Sequence, residues 1–339
     1  MNLSELGEFG LIERIRQRIK APAGVVRGIG DDAAELTLPD GHTLLTSTDL
    51  LIEQIHFRFD WTDPYRLGRK AVAVNLSDLA AMGATPRYLY LGLACPTGSE
   101  LDRLDAFLDG VLDETAAYGV TLVGGDTCRS PGPWMISVVV EGSAPAGESL
   151  GRAGARPGDL LLVSGTLGDS ALALSLLQRD LAVDEALLEQ HLTPRAKVAL
   201  GQALAASGQV TAMIDVSDGL TADIRHLLRA SRVGAELEMT AIPLSAEFRR
   251  HCARNPRTID LALSGGEDYQ LLFTAGADAE GRILEIAARC GETVSRIGRI
   301  TRGDGSLLLR DRQGEWLPLT GQGFDHFAAA SEPSREVVA

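Results

Sequence analysis

Apolar residues fall at helical spacing near the start of the chain: Phe9, Leu11, Ile12, Ile15 and Ile19 predict a short helix over 8–20. The pattern then shifts to alternating and continuous apolar runs. Residues 42–51 (HTLLTSTDLL) predict a strand that ends in acid, 66–82 a helix rich in Ala and Leu, and 87–94 (RYLYLGLA) a second strand. Residues 100–118 are amphipathic, with Leu101, Leu104, Phe107 and Leu112 on the inward face. Strands are expected over 120–123 and 134–140, with the GGDT sequence turning between them.

A stretch of Gly, Pro and small residues over 145–159 predicts a domain break. Beyond it come a strand over 160–164, helices at 167–178 and 184–207, and MIDVSDGL as strand into a helix over 220–231. SGGEDYQLLFT enters another strand, followed by a helix near 279–291 and the strand-like VSRIGRI. Both halves mix helices with strands, so the expected class is α+β with domains 1–148 and 149–330 and a loose tail over 331–339.

Composition narrows the function classes. The 339 residues are 45% hydrophobic and 23% charged, which allows two cores. Lys+Arg 32 against Asp+Glu 46 gives a net charge of −14, which argues against a nucleic-acid or anionic-membrane surface. The N-terminal sequence carries acids early and has no apolar signal core, and no stretch approaches 18 uninterrupted apolar residues. Cys95, Cys128, Cys252 and Cys290 are scattered without a CxxC pair, which fits neither a zinc site nor a disulfide framework. A cytoplasmic protein is the expectation.

The chemistry-bearing feature is a series of short acidic motifs: GIGDDAA (28–34), TSTDL (46–50), NLSDLAAMG (75–83), GGDT (124–127), IDVSDGL (214–220) and SGGEDYQL (264–271). Each places an acid beside small or hydroxyl residues. Carboxylates gathered within a few Å raise one another's pKa, and their usual counter-charge is a hard cation such as Mg²⁺, which keeps water and phosphate oxygens in its shell. An Mg²⁺-phosphate enzyme is therefore expected. Each motif also has a plainer reading. Asp215 and Ser217 share a strand face beside Asp218, yet Ser217 or Asp218 equally suits an N-cap for the helix at 220–231. Ser47 and Asp49 share one face with Thr48 on the other, which also describes an edge strand. Asp78 with Ser77 fits the polar side of a core helix, GGDT a tight turn, and GTLGDSALAL (165–174) either a structural turn or a phosphate-binding helix start. His56 in EQIHF reads alone as surface or core, as do Trp316 and Phe324, which otherwise suit a ring-bearing substrate. No GxxxxGK[ST], no GxGxxG after a strand and no Ser-His-Asp order is present, so covalent catalysis and the familiar nucleotide loops lack their parts.

Taken in order, GEFGLI (7–12), GIGDDAA, STD, HF, AVNLSDLAAMGA, GGDT, GRAGARPGD, SGTLGDSA, IDVSDGL, SGGEDYQLLF and GFDHF (323–327) resemble the thiamine-monophosphate kinases. That family belongs to the superfamily of aminoimidazole ribonucleotide synthetase and selenophosphate synthetase. The resemblance implies a two-domain aminoimidazole-ribonucleotide-synthetase-like fold, with an N-terminal sheet-plus-helices domain that dimerises. It implies transfer of the γ-phosphoryl group of ATP to thiamine monophosphate, with Mg²⁺ ions and no covalent or general-base residue. Asp32, Thr48, Asp49, Asp78, Asp126, Asp215 and Asp218 match the family's Mg²⁺ positions. Ser47, Gly125, Asp126, Arg152 and Ser217 match nucleotide positions, and His56, Glu267 and Phe324 substrate positions. Cys128 and Gln270 depart from the pattern, standing where a hydroxyl and an acid are common.

Two rivals stay open at this level. One is another enzyme of the superfamily, acting on a purine precursor or selenide, although no Cys precedes Cys95 as a selenide enzyme would want. The other is a divalent-ion-binding protein, disfavoured by the dispersal of the acids and the lack of a D-x-D-x-D-G loop.

Overall fold

The computed structural model describes residues 8–19, 25–27 and 35–319. Asp32 with the rest of GIGDDAA, Phe324 and the tail at 331–339 lie outside the described residues. The chain forms two compact units, one running up to Leu79 and again over Ala84–Glu148, the other made of Ala80–Gly83 and the described residues from Ser149 onward.

The first unit contains helices α1 (Glu8–Gln17), α2 (Pro64–Ala81, as far as Leu79) and α3 (Leu101–Ala117). A two-residue-deep ribbon pairs β1 (Val25–Arg27) with β2 (Glu35–Leu36). A four-stranded sheet has the order β3 (His42–Ile52), β6 (Met135–Pro145), β4 (Thr85–Cys95), β5 (Thr121–Arg129). β6 runs antiparallel to β3 and β4, and β4 runs parallel to β5. Alternation sorts the faces: Leu45, Leu51, Leu89, Leu91, Leu93, Ile136, Val138 and Val140 are buried on the helix side. On the other side Leu44, Leu50 and Met135 are exposed. Helices α2 and α3 cross at two glycines, because a Cβ on Gly68 would stand 2.1 Å from Phe107 O and one on Gly110 2.0 Å from Tyr65 O. Only hydrogen permits that approach.

GGDT is not the turn its sequence predicts. It lies inside β5, which runs through to Arg129. Its glycines serve the ladder rather than a bend: a Cβ on Gly125 would lie 2.0 Å from Leu91 O of the parallel neighbour, and one on Gly124 2.9 Å from the Tyr90 ring.

The second unit holds a seven-stranded mixed sheet in the order β13 (Trp316–Pro318), β12 (Leu307–Arg310), β9 (Gly234–Glu238), β11 (Val294–Thr301), β7 (Leu160–Ser164), β10 (Leu271–Ala275), β8 (Val210–Asp215). All its pairs are antiparallel except β12 with β9. β7 and β10 are buried at every position, so their unbroken apolar runs reflect cover on both faces. Helices α4 (Asp169–Leu177), α5 (Glu185–Leu192), α6 (Val198–Ser207), α7 (Leu220–Ser231), α8 (Ala246–Arg254), α9 (Ile259–Ser264) and α10 (Glu280–Arg289) complete the unit. The single helix expected over 184–207 is two, α5 and α6. Pro194 disfavours helical geometry at Thr193, which leaves the helix at φ −140° and ψ 59°. Among the described residues no helix is long and apolar enough to cross a membrane.

Candidate active site

In the first unit β3 and α2 present the acids. Extended backbone puts Ser47 and Asp49 on the face turned toward α2. Two residues of the NLSD turn of α2 reach back to that strand. The Ser47 hydroxyl donates to Asp78 Oδ2, and the Asp49 N–H donates to Asn75 Oδ1 at 2.9 Å. Asn75 is buried, and its Nδ2 donates to Ala71 O at 3.0 Å, so both ends of its amide are engaged. Ser47, Asp49 and Asp78 thus form one oxygen-rich group. Thr48 faces the other side, where its hydroxyl donates to Val138 O at 2.9 Å. Gly125 and Asp126 lie exposed on edge strand β5. His56 follows β3 in a turn, and its Nδ1 accepts the Ile52 N–H at 3.0 Å. A neutral ring bonded in this way carries its proton on Nε2.

In the second unit the acids sit on loops that cross at the ends of β7, β8 and β10. Asp215 ends β8 and is buried, Ser217 and Asp218 follow half-buried, and α7 begins after Gly219. The N-cap reading fails, since Gly219 is the cap at φ 108° and makes no side-chain cap bond. The loop is closed from within α7 instead: Asp223 Oδ2 accepts the N–H of Ser217 at 3.1 Å and of Asp218 at 3.2 Å. Burial pushes the Asp223 carboxyl up to about 8, and the charges of Asp215 and Asp218 push the same way, against those two N–H bonds.

The SGGEDYQ loop lies across this one. Glu267 N–H donates to Ser217 O and Tyr269 N–H to Val216 O, both at 2.8 Å. Glycines allow the crossing: a Cβ on Gly266 would lie 2.4 Å from Ser217 O, and one on Gly219 2.8 Å from Ser264 O. Glu267 and Tyr269 hold left-handed φ values of 65° and 49°, uncommon for non-glycine residues and typical of functional loops. Asp268 is turned inward, where both carboxylate oxygens accept the Gly168 N–H at 2.9 Å. Burial holds its carboxyl well above the usual carboxylate range. Gly168 opens α4, so the start of GTLGDSALAL is bonded by a buried acid of this chain. Next to it Asp169 accepts the hydroxyls of Thr166 at 2.7 Å and Ser245 at 2.6 Å, and burial raises its carboxyl as well.

Arg152 is exposed on the segment before β7. That segment is tied to the end of α7: Ser231 Oγ accepts the N–H of Gly154 and Ala155 and donates to Arg152 O, all at 3.1 Å. Arg152 also faces His226 of α7, whose imidazole is held below its ordinary value by burial first, then by the charges of Arg152 and Arg229. Asn75, His191, Asp223 and Asp268 escaped sequence reasoning, although Asn75 and Asp268 lie inside quoted motifs.

Among the described residues no group of three or more His, Cys, Asp or Glu side chains already stands in a metal-holding arrangement. The donor chemistry nonetheless suits a hard cation. Each group offers carboxylate and hydroxyl oxygen, and mutual repulsion around Asp223 is what a divalent ion relieves.

Known proteins fit this architecture. Residues 30–144 match the N-terminal domain of AIR synthase related proteins, and 156–309 match their C-terminal domain. The class is therefore that of two-domain AIR-synthase-related proteins. The thiamine-monophosphate kinase of Escherichia coli (strain K12) is 41% identical over 329 residues, covering 95% of this chain and 98% of the relative. That of Aquifex aeolicus (strain VF5) is 37% identical over 315 residues, covering 91% and 96%. A crystal structure of thiamine-monophosphate kinase from Stenotrophomonas maltophilia K279a aligns with TM-score 0.81 at 38% identity, over 91% of this chain and 96% of that one. A structure of AaThiL complexed with AMPPCP and TMP aligns with TM-score 0.75 at 35% identity, over 96% and 99%. The chain belongs to the thiamine-monophosphate kinase family. Hydrogenase maturation protein HypE in complex with ATP also aligns with TM-score 0.81, over 97% and 99%, but at 21% identity the likeness is one of fold alone.

Proposed function

We propose that this protein transfers the γ-phosphoryl group of ATP to the phosphate of thiamine monophosphate. The bond from the γ-phosphorus to the bridging oxygen of ADP breaks, its electrons leave with ADP, and a phosphate oxygen of the acceptor forms the new bond in thiamine diphosphate. The observation that carries this reading is the family relationship over nearly the whole chain, with a solved relative bound to an ATP analogue and TMP. Phosphoryl transfer needs positioning and charge neutralisation and the acceptor phosphate is already anionic, so the reading calls for no nucleophile or general base.

In this reading Asp32, Thr48, Asp49, Asp78, Asp126, Asp215 and Asp218 would hold Mg²⁺ ions, which when bound offset the charge of two anionic substrates. The protein's own share is orientation. Ser47 and Asn75 set the Asp78 and Asp49 oxygens, and Asp223 shapes the loop that carries Ser217 and Asp218. Ser47, Gly125, Asp126, Arg152 and Ser217 receive the nucleotide. His56, Glu267 and Phe324 receive the acceptor, whose cationic thiazolium and aminopyrimidine suit a carboxylate and an aromatic ring. Residues 1–148 serve as the metal, nucleotide and dimerisation domain and 149–330 as the C-terminal α+β domain of a cytoplasmic enzyme.

ADP release measured with thiamine monophosphate, thiamine and an aminoimidazole precursor tests the reaction. Only the first should turn over quickly, and equal rates with thiamine would overturn the assignment. A homodimer through the first unit's sheet is part of the proposal, motivated by the exposed Leu44, Leu50 and Met135 and by the edge strand β3. A concentration-independent monomer mass in analytical ultracentrifugation would remove it.

A further inference from the structure

His191 ends α5 inside the second unit and is 3% exposed. Its Nδ1 stands 2.9 Å from Ser170 Oγ, in the first turn of α4, and 3.2 Å from Glu267 Oε2. The side chains of His191 and Glu267 are 4% and 25% exposed, so the imidazole stands behind a carboxylate that reaches solvent. An ionised carboxylate only accepts hydrogen bonds, so the attractive arrangement puts the imidazole proton on Nδ1, between Oε2 and the nearer Ser170 Oγ, which can both accept it. Ser170 Oγ shares that edge of the ring and braces it.

Glu267 is thereby held at both ends. Its N–H is bonded to Ser217 O at 2.8 Å, and its backbone is kept at a φ of 65°. A glutamate side chain otherwise loses much rotamer freedom on binding a ligand, and a bond made in advance removes that cost. Three separate elements meet at this point, namely the start of α4, the end of α5 and the loop after α9.

We propose that His191 is a positioning residue for acceptor recognition, orienting the Glu267 carboxylate toward the cationic or N–H-bearing ring of the acceptor. The inference rests on the reading of Glu267 as an acceptor contact. His191 touches neither substrate. Its effect belongs to the KM for thiamine monophosphate and leaves the KM for ATP alone.

The test uses the full chain with ATP, Mg²⁺ and thiamine monophosphate, comparing E267A, H191L, H191N, H191Q and the double variant H191L/E267A. Loss of one such bond corresponds to about tenfold in affinity. H191L should therefore raise the KM for thiamine monophosphate about tenfold while changing the KM for ATP less than twofold. The Asn amide nitrogen stands where Nδ1 stood and the Gln nitrogen where Nε2 stood, so H191N should recover most of the loss and H191Q little. The double variant should be no worse than E267A. Parallel changes in both KM values and kcat would mean a merely structural role and overturn the proposal, as would equal recovery by Asn and Gln. An unchanged KM in H191L beside a raised one in E267A would overturn it while sparing Glu267 as a contact. An unchanged KM in E267A would remove the Glu267 reading and this inference together. If H191L fails to fold, the contrast between H191N and H191Q decides the matter alone.

Discussion

In the first unit Ser47, Asp49 and Asp78 project from a strand and a helix, and side chains of α2 fix them to β3. In the second, Asp215 closes strand β8, while Ser217, Asp218 and Glu267 sit on loops that hold each other by backbone N–H groups, with Asp223 and Asp268 buried behind them. Regular elements position acids cheaply, since their hydrogen bonds are already satisfied along the helix or ladder. Crossing loops must satisfy theirs with buried carboxylates and must exclude Cβ atoms where they touch. The second arrangement carries left-handed backbone at Glu267 and Tyr269 and carboxyls raised by burial at Asp223 and Asp268.

The largest expected effect treats the two regions as equals in catalysis. Asp49→Asn and Asp215→Asn should each lower kcat by about a thousandfold or more, about 4 kcal/mol in the barrier, as for loss of a charge-stabilising group. They should differ in stability. Asp215→Asn removes one of the charges that repel Asp223, so its melting temperature should equal or exceed that of the parent. Asp49→Asn should melt unchanged. Steady-state kinetics with circular dichroism melts checks both, and normal turnover in either variant would break the symmetry.

Next comes the loop crossing. Gly266→Ala would push a methyl to 2.4 Å from Ser217 O, a backbone atom with little room to retreat. A loss of about 2–3 kcal/mol in urea unfolding is expected, with weakened activity. An unchanged midpoint would show that the loops separate easily. The smallest effect belongs to the first unit. Asn75→Ala leaves the Asp49 N–H without this partner at a buried site, which costs about 1–2 kcal/mol in the same measurement.

Much of the regular structure was legible from periodicity, because strands such as β7 and β10 and helices such as α7 are decided by burial of contiguous apolar positions. The opposed faces of Ser47 and Thr48 followed from strand alternation alone. Two readings failed for tertiary or local reasons. GGDT carries turn residues, but its glycines answer to the neighbouring strand β4, which no local signal reports. The break between α5 and α6 had its signal in Pro194, outweighed by the apolar run around it. Asn75, His191, Asp223 and Asp268 were illegible for a different reason. His191 meets Glu267 and Asp268 meets Gly168 only because the sheet brings remote loops together, and neither pairing leaves a spacing in the sequence.

Trp134 is 2% exposed and packs edge-on against Phe59 at 5.3 Å and Phe107 at 5.9 Å, in the first unit's aromatic core. Trp61, in the same unit, lies under Arg58 at 4.4 Å, whereas Trp316, in the second, is 41% exposed. These are the chain's 3 tryptophans. Fluorescence therefore weighs the two units unequally. Unfolding of the first moves an indole from a dry aromatic cage into water and shifts its emission to the red, while unfolding of the second changes an indole already in contact with solvent. Far-ultraviolet dichroism counts the helices of both. Overlaid, the two optical traces tell whether the halves melt as one cooperative body or in sequence, with no label attached to the chain.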